Sequence, residues 1–192
     1  MNKVLILIGM SGSGKTTAGE ALAKACSCDF FDTDLLIENE IAKKTIEQIF
    51  QDHGEYEFRR LEKAALAGIL QSSEEHSNDS TKTKMVVATG GGLPLFEDNF
   101  ARLASLGTIV YLKCETEILA RRLIEQFKSE KKGRPMINLA SGSKNESVHE
   151  GLKKKLLELL QSRVQTYEKA DHCIDTTHLT PSEVVERLKA FL

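Results

Sequence analysis

Tryptophan is absent from the 192 residues, aromatic side chains make up only 6%, and neither sign of charge prevails: 26 Lys+Arg face 28 Asp+Glu, for a net charge of −2. A chain so poor in aromatic faces offers no platform on which bases stack. The near-even balance speaks against nucleic acid or another polyanion as the main partner, although a local basic cluster could bind a small anion. No run approaches the roughly 18 apolar residues of a membrane span. Val4–Ile8 follows Lys3 like the start of a signal peptide, but it ends in Gly9-Met10-Ser11-Gly12 with no small-residue cleavage site after it. A reducing, cytoplasmic setting is therefore expected, with Cys26, Cys28, Cys114 and Cys173 as free thiols. The C-x-C spacing of Cys26 and Cys28 has no second ligand pair or His beside it to make a metal site. What is present, 41% apolar and 28% charged residues, suits one globular domain with a real core.

The patterning alternates short apolar runs with helical periodicity. Val4–Ile8 reads as a buried strand, and Lys15–Cys26 as a helix with Ala18, Ala21, Leu22 and Ala25 at helical spacing. Phe30-Phe31 opens a second strand that ends at Asp32-Thr33-Asp34. Thr45 caps a short helix carrying Ile46, Ile49 and Phe50; Gly54 breaks it, and Glu55–Gln71 forms a longer one. Gln71–Lys84 is polar and aperiodic and reads as an inserted surface loop. Further strands are expected at Met85–Ala88, Thr108–Leu112 and His172–Asp175. Helices are expected at Asp98–Leu106, Glu115–Lys128, Glu150–Lys169 and after Thr180-Pro181-Ser182-Glu183, a capping box with proline at the first helical position. Ser129–His149 is charged and aperiodic, a mobile flap. This alternation predicts an α/β fold: a three-layer α/β/α domain over residues 1–192 with a central parallel five-stranded sheet, a helical segment at about 35–72 and a lid at about 128–150.

Gly9-Met10-Ser11-Gly12-Ser13-Gly14-Lys15-Thr16 matches G-x-x-x-x-G-K-[ST] between the first strand and the first helix. A loop that wraps a phosphate with its N–H groups needs positive φ and little side-chain bulk, hence glycine. The helix that opens at Lys15 turns its N-terminus toward the phosphates. Gly12, Ser13, Gly14, Lys15, Thr16 and Thr17 are thus the candidate nucleotide cradle. Lys15 serves the β/γ-phosphates, and the Thr16 hydroxyl serves Mg²⁺. The next acids, Asp32 and Asp34, sit at a strand's carboxyl end, where open parallel sheets bind ligands. One residue apart on an extended segment, they point the same way, one toward Mg²⁺ and the other toward an acceptor hydroxyl; Asp34 is equally a candidate helix cap. Glu62 follows Arg59 by three residues and shares its helix face. The run Gly90-Gly91-Gly92 suggests close backbone approach to a ligand, or a plain turn.

The ordered set GMSGSGKTT, FDTD, GEYEFRRLE, TGGG, GRPM and SRVQTY resembles the shikimate kinase family over nearly the whole chain. The resemblance implies a P-loop kinase fold with ATP and Mg²⁺ as cofactors and transfer to the 3-hydroxyl of shikimate. It implies that Arg59 and Arg163 bind the substrate carboxylate, Gly90, Gly91 and Gly92 contact the substrate, Arg134 closes over the phosphates from the lid, and Arg122 touches the nucleotide. Asp34, with Lys15 and Arg134, then carries the catalysis, and Thr16 and Asp32 hold the metal, Asp32 through water. The family's self-contained site implies a monomer. Glu40–Thr45 departs from the family in lacking the glycine common before the short helix. A gluconate kinase shares the P-loop type without the combination of DTD, FRxxE and GGG, and an inactive binding module is expected to have lost Lys15, Asp34 or an arginine.

Overall fold

The computed structural model describes residues 3–78, 84–130 and 147–192. Five strands, β1 (Lys3–Ile8), β2 (Asp29–Asp32), β3 (Lys84–Ala88), β4 (Thr108–Lys113) and β5 (His172–Asp175), form one parallel sheet in the order β2-β3-β1-β4-β5. β1 lies at the centre and is apolar on both faces because both are covered. Its pleat sends Val4, Ile6 and Ile8 into one core and Leu5 and Leu7 into the other.

The first core joins α3 (Ile46–Asn78), α4 (Asn99–Leu106), α5 (Thr116–Glu130) and α6 (Val148–Tyr167) to the sheet through residues such as Leu66, Leu103, Leu119 and Leu156. The second joins α1 (Lys15–Cys26) and α7 (Pro181–Leu188) to the opposite face through Leu22 and Leu188. The expected three layers are present. The capping box at α7 is also there: the Thr180 hydroxyl accepts from the Glu183 N–H, and the Glu183 carboxylate accepts from the Thr180 N–H.

The register decides what shares the carboxyl edge. Asp32 pairs with Ala88, and Ala88 pairs with Leu7. The Asp32 turn, the three-glycine turn and the P-loop therefore leave the sheet at one level.

The structure differs from three expectations. Residues 71–78 are helical and extend α3, so the surface loop does not begin at Gln71. No Gly or Pro interrupts QSSEEHSN, and Gln71, Glu74 and Glu75 are good helix formers, so the helix continues without an apolar face. At the second site, β2 stops at Asp32, and Asp34 lies in the first turn of α2 (Thr33–Leu36), not on an extended segment beside Asp32. Asp32 is itself the cap: its Oδ1 accepts from the N–H groups of Asp34 (2.9 Å) and Leu35 (3.2 Å). The two acids therefore leave the chain in different directions. At the ends of the expected lid, residues 128–130 are helical in α5 and residues 148–150 in α6 rather than aperiodic; most of that segment falls outside the described residues.

Gly54 kinks α3 with φ 76° and ψ −175°, a conformation that essentially only glycine adopts. The kink separates Ile46–His53 from the half that bears Arg59 and Glu62. Beneath it Ile37, Ile49, Phe58, Leu61 and Ala65 form a small core of their own. Gly54→Ala is expected to destabilise the protein by about 1–3 kcal/mol, read as a Tm several degrees lower in thermal unfolding.

Candidate active site

At the head of α1, Gly14 adopts φ 93° as N-cap and supplies no side chain to cap the helix. The first N–H groups are left without that competitor, which suits an anion. The Lys15 ammonium, almost fully buried, bends back to donate to the carbonyls of Gly9 and Met10, both at 2.9 Å. The Ser13 hydroxyl is buried inside the loop, while Thr17, one position beyond Thr16, faces solvent.

Thr16 Oγ1 donates to Asp32 Oδ2 at 2.6 Å. This bond fixes the hydroxyl hydrogen on the carboxylate and leaves the oxygen's lone pairs free. A hydroxyl and a carboxylate, both hard oxygen donors beside a phosphate cradle, fit Mg²⁺, which takes few protein ligands and several waters. Among the described residues no group of three or more His, Cys, Asp or Glu forms an all-protein metal cage.

The three-glycine turn is the hub of the acceptor side. A methyl group on Gly90 would strike Asp34 Oδ1 and lie 3.3 Å from Glu62 Oε1. On Gly91 it would lie 3.2 Å from Arg163 Nη1 and 3.3 Å from the Gly9 carbonyl, and on Gly92 2.6 Å from Arg59 Nη1. Each glycine thus makes room for polar groups that a side chain would displace. Two bonds fix the turn from below: the Gly90 N–H donates to Thr33 Oγ1 (2.7 Å), and the Gly91 carbonyl accepts from the buried Tyr167 hydroxyl (2.6 Å).

Asp34 Oδ1 is buried without a hydrogen-bond partner. Burial and the neighbouring Asp32 charge raise its pKa to about 7, against the opposing pull of Lys15. Such a carboxylate exchanges a proton near neutral pH. Glu62 is also pushed up, chiefly by burial, although Arg59 pulls it down. Arg59 Nη1 donates to Glu62 Oε2 at 2.5 Å, as the i,i+3 spacing predicts. Burial works against the Arg59 charge, but Glu62 and Glu55 outweigh it and hold the guanidinium firmly protonated. The rings of Phe58 and Phe96 lie 5.6 and 5.9 Å from its central carbon. Arg60 points outward to Glu57.

A cleft of about 170 Å³ opens between Arg59 and Arg163, with Glu55, Gly92, Phe96 and Ser162 also on its wall. On the other flank, Arg122 donates to the Thr176 carbonyl at 2.9 Å and approaches Cys114 Sγ at 3.6 Å. The Thr176 hydroxyl in turn reaches the carbonyl of Lys113 at 3.0 Å. Arg122 is thereby tied to the loop after β5, and Arg134 lies outside the described residues. Sequence reasoning missed Thr33, Tyr167, Glu55 and Thr176. Only Tyr167, one helical turn beyond Arg163, and Glu55, one turn before Arg59, carry a signal in their spacing.

The family model for shikimate kinase matches residues 11–192. The chain belongs to the shikimate kinase family. The shikimate kinase of Thermodesulfovibrio yellowstonii is 35% identical over 186 residues, which cover 97% of this chain and 92% of that protein. The shikimate kinase from Acinetobacter baumannii, solved in complex with shikimate, is 28% identical with a TM-score of 0.77, covering 98% of this chain and 92% of that one. A gluconokinase from Sinorhizobium meliloti shares the fold at 21% identity and a TM-score of 0.52, covering 98% of this chain and 90% of that one. In this member of the shikimate kinase family, Lys43 in the turn before α3 adopts φ 51°, so a lysine bears a left-handed conformation there.

Asp34 also links the site to stability. Its folded pKa of about 7 lies above the unfolded value near 3.9, so the folded state binds more protons between the two. Stability is therefore lost as pH rises from about 4 to about 7. Asp34→Asn removes this loss: thermal unfolding is expected to show the variant melting several degrees above the native chain at pH 8, with the gap closing toward pH 4.

Proposed function

We propose that this chain transfers the γ-phosphoryl group of ATP to the 3-hydroxyl of shikimate, giving shikimate 3-phosphate, and that Lys15, Thr16, Asp32, Asp34, Arg59, Glu62, Arg163 and the three-glycine turn carry the reaction. The observation that supports this most directly is the turn itself, whose three successive residues abut Asp34, Arg163 with the P-loop, and Arg59. An acceptor laid on Gly90–Gly92 meets a proton-accepting carboxylate at one end and two guanidinium groups at the other. That polarity suits a small ring with a hydroxyl and a carboxylate on opposite sides.

In this reading Arg59 and Arg163 hold the substrate carboxylate, with Glu62 keeping the Arg59 fork in its plane. Asp34 Oδ1 accepts the hydrogen of the attacking hydroxyl. Phosphoryl transfer passes through a loose transition state, so alignment of that oxygen with the γ-phosphorus matters more than base strength. Lys15 exchanges the carbonyls of Gly9 and Met10 for the β- and γ-phosphates, adding no new charge to the fold but moving one onto the transferring group. Thr16 directly and Asp32 through water would hold Mg²⁺, which would supply positive charge against the negative charge of the nucleotide phosphates. Gly12, Ser13, Gly14 and Thr17 complete the cradle, Arg122 braces the nucleotide's far side, and Arg134 is assigned to the phosphates by its motif alone. All these residues come from one chain, which is read as a cytoplasmic monomer.

ADP release with shikimate, quinate and gluconate tests the assignment; turnover is expected with shikimate far above the other two, and equal rates with gluconate would refute it. Asp34 makes a separate prediction. The kcat/KM of the native chain for shikimate should climb as pH passes about 7. Asp34→Asn should lose that limb and fall by about 10²–10⁴-fold in kcat, with the shikimate KM changed far less.

A further inference from the structure

Arg59 does not wait with its guanidinium open. Glu55, one helical turn earlier, sets Oε1 2.8 Å from Arg59 Nη2 and 3.2 Å from Nε, while Nη1 is held by Glu62. Glu55 therefore occupies the side edge of the fork, whose parallel N–H groups suit a carboxylate. Glu55 also lines the cleft shared by Arg59 and Arg163. Its charge thus lies in the space that the substrate carboxylate needs under the reading above, on which this inference rests.

The two acids on Arg59 are held very differently. The Glu62 side chain is 1% exposed and the Glu55 side chain 67%. Glu62 is a fixed counter-charge, whereas Glu55 can swing into water at little cost. We infer that Glu55 is the resident counter-ion of the substrate arginine, displaced when a substrate carboxylate enters the cleft. Every anion must evict it. A substrate recovers that cost through its hydroxyl contacts near Asp34, and a plain carboxylate has none to make. Glu55 thereby keeps weak organic anions off the paired arginines.

An exposed ion pair of this kind changes an equilibrium by up to about fivefold. Glu55→Gln keeps an oxygen acceptor for the Arg59 N–H groups but removes the competing charge. In steady-state assays the KM for shikimate should fall about two- to fivefold, with the change in KM and not in kcat. The inhibition constant of benzoate, a carboxylate without hydroxyls, should fall by the same factor. A shikimate KM at or above that of the native chain overturns the inference and makes Glu55 a fixed positioning partner of Arg59. Native turnover of shikimate tests the parent reading by itself. Calorimetric titration of both proteins with benzoate tests Glu55 even if that turnover fails, and equal affinities there also count against displacement.

Discussion

The close approach of backbone to charge at Gly90–Gly92 is the constraint on which the site depends. Asp34, Arg163 and Arg59 come from three different helices, and each abuts the turn only because no Cβ stands in its way. The parallel register makes this possible, since pairing of Leu7 with Ala88 and of Ala88 with Asp32 brings all three turns to one height. The apolar cores on both faces of β1 matter here mainly because they keep that register from slipping.

Electrostatics at the acceptor side are unfavourable by construction. Asp34 and Glu62 each keep an unpartnered buried oxygen, and both are pushed toward the protonated form by burial. Arg59 offsets part of this at Glu62, and Lys15 part of it at Asp34. A hydroxylated ligand supplies donors to these oxygens, which gives the site affinity for polyols. The apolar rings of Phe58 and Phe96 lie beside Arg59, whose ion pair with the buried Glu62 is shielded from water.

Much of this was legible in the sequence, for physical reasons that differ from place to place. The P-loop was visible because its glycines answer a backbone requirement. The parallel sheet and its layering followed from alternating periodicities, and the α7 cap from local hydrogen-bond chemistry. Asp34 was misplaced because four residues of helix leave no periodic trace, and a strand end looks the same whether the next residue extends or turns. The polar end of α3 was taken for a loop because its helix rests on propensity without an apolar stripe. Thr33 and Tyr167 acquire their roles through partners 57 and 76 residues away, and no local window contains that information.

Tyr167 has one more consequence. Its hydroxyl holds the Gly91 carbonyl toward the core, and in a trans peptide the amide hydrogen of the following residue points the opposite way. The Gly92 N–H is therefore aimed away from the core on the side where Gly92 borders the cleft. A phenol that never touches solvent thus orients a main-chain dipole, and an anion resting on that wall meets the positive end of a peptide unit locked in place by an aromatic bolt.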